Sequence, residues 1–482
     1  MSAAAWSALL PYLVLTGALL VLLLVVSFRR GHALAMWLTV AALVATLATL
    51  PGSNAAGAQS IDGFLTIDAF ANFFNGLFVL TAIVTALLGY RYLDARASRA
   101  HREEFYILLL SATLGAMTMA SAAHFAAFLL GLEIVSISLY AMIAYPEEGQ
   151  APLEAAMKYL VLSGVASTTM LFGMALVYAA VGTMAFGAVL GASSDPLLIA
   201  GQVMILAAVA FKLSLVPFHM WTPDVYQGAP APVTGFVATV SKGGVLAVLL
   251  RYLVETDLLS HEALFLAVSL IAIVSMVVGN VLALLQDNLK RILAYSSIAH
   301  IGYLLIAVLV VSALATPAMA LETGMFYLAG YFLMTLAAFG AMTVLSTGAP
   351  SDTESLAAYA GLYWRRPVLA AVLTAAALSL AGIPLTVGFI AKFYLFAAGI
   401  EAELWALLWA LVIGSAIGIY YYLRIVFSMI RTPDDGAVPA ASVRSIEGIA
   451  AASVLGAAIV VFGIFPTPVI DVARDAVRAF GG

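Results

Sequence analysis

The chain has 482 residues, of which 64% are hydrophobic and 9% charged, against roughly 45 to 50% and 25% in ordinary soluble domains. Its formal net charge is −5, with no block of like charges that would suggest nucleic-acid binding, and it contains no cysteine, which excludes disulfides, thiolate zinc sites and cysteine-bound iron–sulfur clusters. A soluble enzyme and a β-barrel are thereby excluded, leaving an all-α polytopic membrane protein with room for about 14 transmembrane helices at roughly 20 apolar residues each.

Apolar runs bounded by polar residues or Pro/Gly breaks predict spans near 6–27, 33–51, 67–90, 105–122, 124–145 and 154–181. Further spans follow near 197–218, 231–253, 263–285, 291–313, 319–346, 367–400, 403–430 and 446–466. The first run has no charge before it, whereas Arg29 and Arg30 follow it. It therefore reads as a spanning helix with its N terminus outside, not as a cleaved leader.

In that orientation Arg29, Arg30, Arg91, Arg96, Arg99, Arg102, Arg291, Arg365, Arg366, Arg424, Arg431 and Arg444 fall on or near the cytoplasmic side. Only Arg251, Arg474 and Arg478 fall outside. That asymmetry follows the positive-inside rule and supports an even number of spans. Both termini are then expected on the periplasmic side of a bacterial inner membrane, the bacterial origin being read from the long, alanine-rich chain.

The lysines are distributed differently. Lys290, in the polar loop Gln286–Arg291, reads as a topological anchor, but Lys158, Lys212, Lys242 and Lys392 lie inside predicted spans six, seven, eight and twelve. Glu133 sits in the middle of span five. A charge at a helix centre opposes insertion by about 2.5 to 3.5 kcal/mol unless it faces protein or water, and function is the usual reason for tolerating it. Lys158 follows Glu154 by one turn and reads equally well as a side chain snorkelling to the interface. Glu133 and Lys212 read either as a structural buried ion pair or as a proton-exchanging pair, because lysine, unlike arginine, can release its proton when buried.

Two spans are interrupted. Pro217 lies about one turn beyond Lys212, and Gly382-Ile383-Pro384 lies about two turns before Lys392. Such breaks free backbone carbonyls at membrane depth, which is tolerated beside protein or a water-filled cavity. Lys212 and Lys392 are 180 residues and five helices apart. An odd-membered repeat inverts in the membrane, so spans four to eight and nine to thirteen read as two inverted five-helix repeats. The resulting division is a three-helix segment over 1–103, a first repeat over 104–255, a second over 256–432, and a C-terminal helix and tail over 433–482. In that register His300 corresponds to Glu133 and Arg424 to Lys242. His300 reads either as a titrating group or as a hydrogen-bonded core residue.

The run Pro217-Phe218-His219-Met220-Trp221-Thr222-Pro223-Asp224-Val225-Tyr226, continuing through Gly228-Ala229-Pro230 to Val240-Ser241-Lys242, resembles the signature of the antiporter-like membrane subunits of respiratory complex I. The resemblance covers nearly the whole chain. It is strongest with the N-type branch, through Gly131-Leu132-Glu133 and the Asp-Val-Tyr-Gln-Gly-Ala-Pro variant. A glutamate in place of Lys392 would suggest the M type, and a long lateral C-terminal helix the L type.

The resemblance implies proton translocation through Glu133, Lys212, Lys242 and Lys392, with Lys158, His219 and His300 as further candidates for the path and Pro217 and Pro384 as the helix breaks. It implies no cofactor or metal in this chain, with NADH, FMN, iron–sulfur clusters and quinone in partner subunits. The implied partners are an M-type antiporter-like subunit, the lateral helix of an L-type subunit, and the small K- and J-type subunits. A subunit of a multi-subunit cation/proton antiporter is the alternative. No phosphate-cradling loop, nucleophile elbow or metal-ligand cluster assigns a bond-making residue.

Overall fold

The computed structural model describes residues 2–96, 102–145, 150–189, 195–314, 318–349, 351–432, 445–478 and 480. Arg99, Arg444 and the boundary at 433 lie outside the described residues. In lipid a backbone must satisfy its own polar groups, and a helix does so within one segment. The helices are α1 (Ala3–Phe28), α2 (His32–Ala55), α3 (Ala69–Arg96), α4 (Glu104–Ala120), α5 (Phe125–Ile143), α6 (Gln150–Val181) and α7 (Pro196–Lys212). They continue with α8 (Trp221–Gly228), α9 (Ala231–Phe236), α10 (Lys242–Thr256), α11 (Glu262–Leu284), α12 (Leu289–Ala313), α13 (Ala318–Ser346) and α14 (Leu362–Arg365). The last are α15 (Pro367–Ala381), α16 (Val387–Glu401), α17 (Trp405–Ile430), α18 (Ile446–Ile464) and α19 (Thr467–Arg478).

Among the described residues, 11 helices are long and apolar enough to cross a membrane when Ala231–Thr256 is taken as one. Three shorter apolar helices, α4, α7 and α15, occupy the places predicted for spans four, seven and twelve. Helices α4 with α5, and α6 with α7, approach closely because glycine faces glycine: a Cβ added at Gly115 would lie 2.8 Å from the Gly131 carbonyl oxygen, and one at Gly173 2.6 Å from that of Gly201. Small residues let helix backbones meet where lipid supplies no hydrophobic drive for association. The centre of the molecule is α10, α12 and α13, and every residue from Ala229 to Leu253 is buried.

One end of the bundle gathers the start of α1, a two-stranded antiparallel hairpin, β1 (Gln59–Ile61) with β2 (Leu65–Ile67), and the C-terminal α19. Arg251 lies at this end, as do Arg474 and Arg478 of α19, but it is not a solvated charge. Its guanidinium forks onto Asp68 with two bonds of 2.9 Å, the side chains being 1% and 3% exposed. The Phe70 and Phe480 rings flank it. The predicted tail thus contains a packed amphipathic helix: Ile470, Ala473 and Val477 of α19 are buried against α3 and α13, while Arg474 reaches Glu322 at 3.1 Å.

The opposite end carries most of the remaining ion pairs, including Arg30–Glu104 at 2.9 Å and Arg291–Asp224 at 2.9 Å. Lys290 corrects the sequence reading. It is buried, pairs with Asp352 at 2.6 Å, and donates to the carbonyls of Gln227 and Ala229 at 3.0 and 2.8 Å. Polar residues around a lysine in a loop suggest a solvated anchor, but here the 351–356 segment folds back over the start of α12 and covers it. Burial opposes ionisation of Asp352, yet Lys290 and Arg96 outweigh it and hold its carboxyl below the usual aspartate range.

Candidate functional site

Helix α7 ends at Lys212 itself, one turn earlier than Pro217 suggests, because Ser214 adopts a left-handed conformation with φ 65°. The chain resumes as a helix only at Trp221. Backbone groups freed by the break find side-chain partners: the Val216 amide donates to Ser275 Oγ at 3.0 Å, and Trp221 Nε1 donates to the Phe211 carbonyl at 3.1 Å.

Lys212 is buried and donates to Ser136 Oγ at 2.9 Å and Ser163 Oγ at 2.6 Å. Tyr140 donates to the same Ser163 at 2.8 Å. The expected Glu133–Lys212 contact is therefore not a direct ion pair in this conformation. Glu133 acts on Lys212 electrostatically from one turn before Ser136, and its buried Oε1 has no hydrogen-bond partner among the described residues.

Span eight carries a third irregularity that proline spacing did not reveal. Residues 237–241 form a π-helical turn immediately before Lys242. A turn of this kind inserts into the α-helical ladder and shifts the register of the residues after it. Lys242 donates to Ser297 Oγ on α12 at 2.7 Å and lies over the Tyr226 ring at 5.7 Å. Ser297 is also hydrogen-bonded to the Tyr331 hydroxyl at 2.6 Å. One turn further along α12, His300 contacts the hydroxyls of Tyr327 at 2.7 Å and Tyr422 at 3.2 Å. It lies within electrostatic range of both Lys242 and Lys392.

In span twelve α15 ends at Ala381, Gly382 turns left-handed at φ 84°, and α16 begins after Pro384 at Val387. Lys392 reaches back across this break and donates to the carbonyls of Leu380 and Ala381 at 3.1 and 3.0 Å. A cation thereby caps the negative end of α15. The Tyr303 ring lies 5.2 Å from its ammonium. The return of α16 needs Gly388, since an added Cβ would lie 1.9 Å from the Ser379 oxygen. Lys212 and Lys392 consequently sit on opposite sides of their breaks, one ending a first half-helix and the other within a second.

The structure thus brings half-buried Glu133 into electrostatic range of Lys212, and His300 into range of both Lys242 and Lys392, with the three lysines and His300 buried. Each of the three lysines is held by neutral oxygen atoms, with no carboxylate among the described residues in contact. That arrangement can change protonation state in place, with hydroxyls of Ser136, Ser163, Ser297, Tyr327, Tyr331 and Tyr422 as neighbours able to donate and accept. These hydroxyls were missed from sequence. The available signal was that Ser136 and Ser297 lie three residues from Glu133 and His300, on the same helix faces.

Other candidates fall elsewhere. Arg424 is not beside Lys242's partners: it lies near the end of α17, bonded to the Gln286 carbonyl and 3.5 Å from Asp287. His219 is buried in the span-seven break with its Nδ1 unpartnered. Lys158, with a side chain 42% exposed, pairs with Glu154 at 2.7 Å and Asp224 at 2.8 Å. Lys158→Gln is expected to leave proton transport near wild type and to change stability by less than about 1 kcal/mol, the range of exposed pairs. Collapse of transport at normal protein level would instead put Lys158 on the path.

Residues 122–418 match the family described as NADH:quinone oxidoreductase/Mrp antiporter, transmembrane. The chain belongs to this family. A relative in Methylococcus capsulatus, NADH-quinone oxidoreductase subunit N, is 48% identical over 479 residues, covering 98% of this chain and 96% of that protein. Among solved structures, this family member is similar to a chain of respiratory complex I from Thermus thermophilus with bound aureothin, at TM-score 0.82 and 32% identity over 96% of this chain and 99% of that one. The fold is shared with the Mrp complex from Dietzia sp. DQ12-45-1b, at TM-score 0.83 and 20% identity over 99% and 97% of the two chains.

Proposed function

We propose that the chain is the N-type antiporter-like membrane-arm subunit of a proton-translocating NADH:quinone oxidoreductase. The observation that supports this reading is the set of three buried lysines held by hydroxyl and carbonyl oxygens beside broken helices, in a chain 48% identical to a subunit of that name. Protons move along Glu133, Lys212, Lys242, His300 and Lys392, while electrons pass from NADH through FMN and iron–sulfur clusters to quinone in partner subunits. Among the described residues no cluster of His, Asp and Glu is arranged to hold a metal.

A change arriving from a neighbouring subunit moves Glu133 relative to Lys212. Approach of the carboxylate favours protonated Lys212, and withdrawal releases the proton towards Lys242. The partners in this reading are an M-type subunit, the lateral helix of an L-type subunit, and the small K- and J-type subunits. The basic end faces the cytoplasm of a bacterial inner membrane, and both termini face the periplasm.

Replacing Lys392 with alanine in the native host tests the reading. NADH-driven quinone reduction and proton uptake are compared in membranes holding equal amounts of assembled complex, and both are expected to fall. Normal rates of both would make Lys392 structural and overturn the assignment, while sodium-dependent transport without NADH activity would place the chain in a multi-subunit cation/proton antiporter.

A further inference from the structure

Away from the buried lysines, at the basic end of the bundle, a cavity of about 720 Å³ opens between the last turns of α17 and the 355–360 segment. Tyr420, Arg424 and Phe427 are spaced by four and three residues and so form one stripe of α17, and Arg431 follows directly after the helix end. The opposite wall is Ser355, Leu356, Ala357 and Ala360. Two cations thus alternate with two aromatic side chains along a wall whose remaining surface is mostly small or apolar.

Among the described residues the two charges are only partly matched. Arg424 contacts the Gln286 carbonyl and the carboxylate of Asp287, the one acidic residue among the described residues lining the cavity, but at 3.5 Å and with Asp287 92% exposed. Its Nε is buried without a partner among the described residues. Arg431 is exposed. Tyr363 and Trp364 on the adjoining α14 are exposed as well. Exposed Tyr and Trp beside arginines mark the level at which a membrane protein meets the headgroups.

From this juxtaposition we infer that the cavity is a binding site for an anionic phospholipid of the same leaflet. Its phosphate is held between Arg424 and Arg431, and its glycerol and proximal acyl carbons lie against Leu423 and Phe427. A basic pocket between helices on the cytoplasmic side is the chemistry that selects phosphate headgroups. A zwitterionic lipid carries its own ammonium to oppose the two arginines, so the site selects headgroups of net negative charge.

The test uses the full chain extracted from its own membrane with whatever partners it carries, stripped of loosely held lipid and titrated with phosphatidylglycerol, phosphatidylcholine or inorganic phosphate. Bound lipid is counted by native mass spectrometry. Wild type is expected to retain one more phosphatidylglycerol per chain than R424Q/R431Q, with apparent affinity about tenfold weaker in the variant. The charge-keeping R424K/R431K is expected to recover most of the binding. R431Q alone, at an exposed position, keeps the test valid if the double variant does not accumulate.

Equal phosphatidylglycerol binding by wild type and variants would overturn the proposal. So would equal preference for phosphatidylcholine, full competition by inorganic phosphate, which would make this a free-anion site, or binding that emerges only after partner chains are removed, which would make it a protein interface.

Discussion

Lys212→Met is expected to lower proton translocation by about 10²-fold or more in membranes that retain the assembled protein, within the ~10² to 10⁴ that a positioned acid–base group contributes. Methionine matches the length and volume of the lysine stem but cannot carry a proton, and Ser136 and Ser163 lose the ammonium they share. Lys212→Arg is expected to fail as well, because a guanidinium stays charged and cannot pass its proton on. The joint change Ser136→Ala, Ser163→Ala is expected to slow transport less, since it removes acceptors and leaves the titrating group. The rates of proton uptake and of NADH oxidation, each normalised to assembled complex, are the measurement. Unchanged rates of both in Lys212→Met would remove Lys212 from the path and leave it a structural residue at a helix end.

Asp68→Asn is expected to destabilise the protein by about 3 to 5 kcal/mol, the cost of leaving one member of a buried ion pair without its partner. Asparagine retains an acceptor for the Ala71 amide, which Asp68 caps at 2.8 Å, so the lost charge dominates. Arg251 would be stranded at 1% exposure between the Phe70 and Phe480 rings. Because Phe480 comes just after α19, the C-terminal helix should loosen with it, and proteolysis of that helix together with the thermal midpoint reports the effect. Adding Arg251→Met to Asp68→Asn is expected to recover more than half of the loss, since an apolar side chain needs no counter-charge. A single substitution that leaves both readouts unchanged would show that the pair contributes little here.

The membrane class and the helical runs were legible without coordinates, because insertion into lipid is a local property: each segment must be apolar and must satisfy its own backbone. Glu133, Lys212, Lys242 and Lys392 were also legible, since an ionisable residue inside such a run is conspicuous whatever surrounds it. The breaks at Pro217 and Pro384 were visible in kind, but their positions were not, because the left-handed residues Ser214, Gly382 and Leu385 end or redirect the chain around each proline.

What the tertiary structure decided was partnership. Sequence could not tell that Lys290 is buried against Asp352, that Arg251 is forked onto Asp68 across 183 residues, or that Lys212 meets two serines instead of Glu133. Nor could it show the π-helical turn that sets the register of Lys242 towards Ser297. The apolar pattern determines which segments enter the membrane, through a transfer energy summed residue by residue. Which buried charge meets which oxygen depends on how helices distant in sequence pack, and no local sum contains that information.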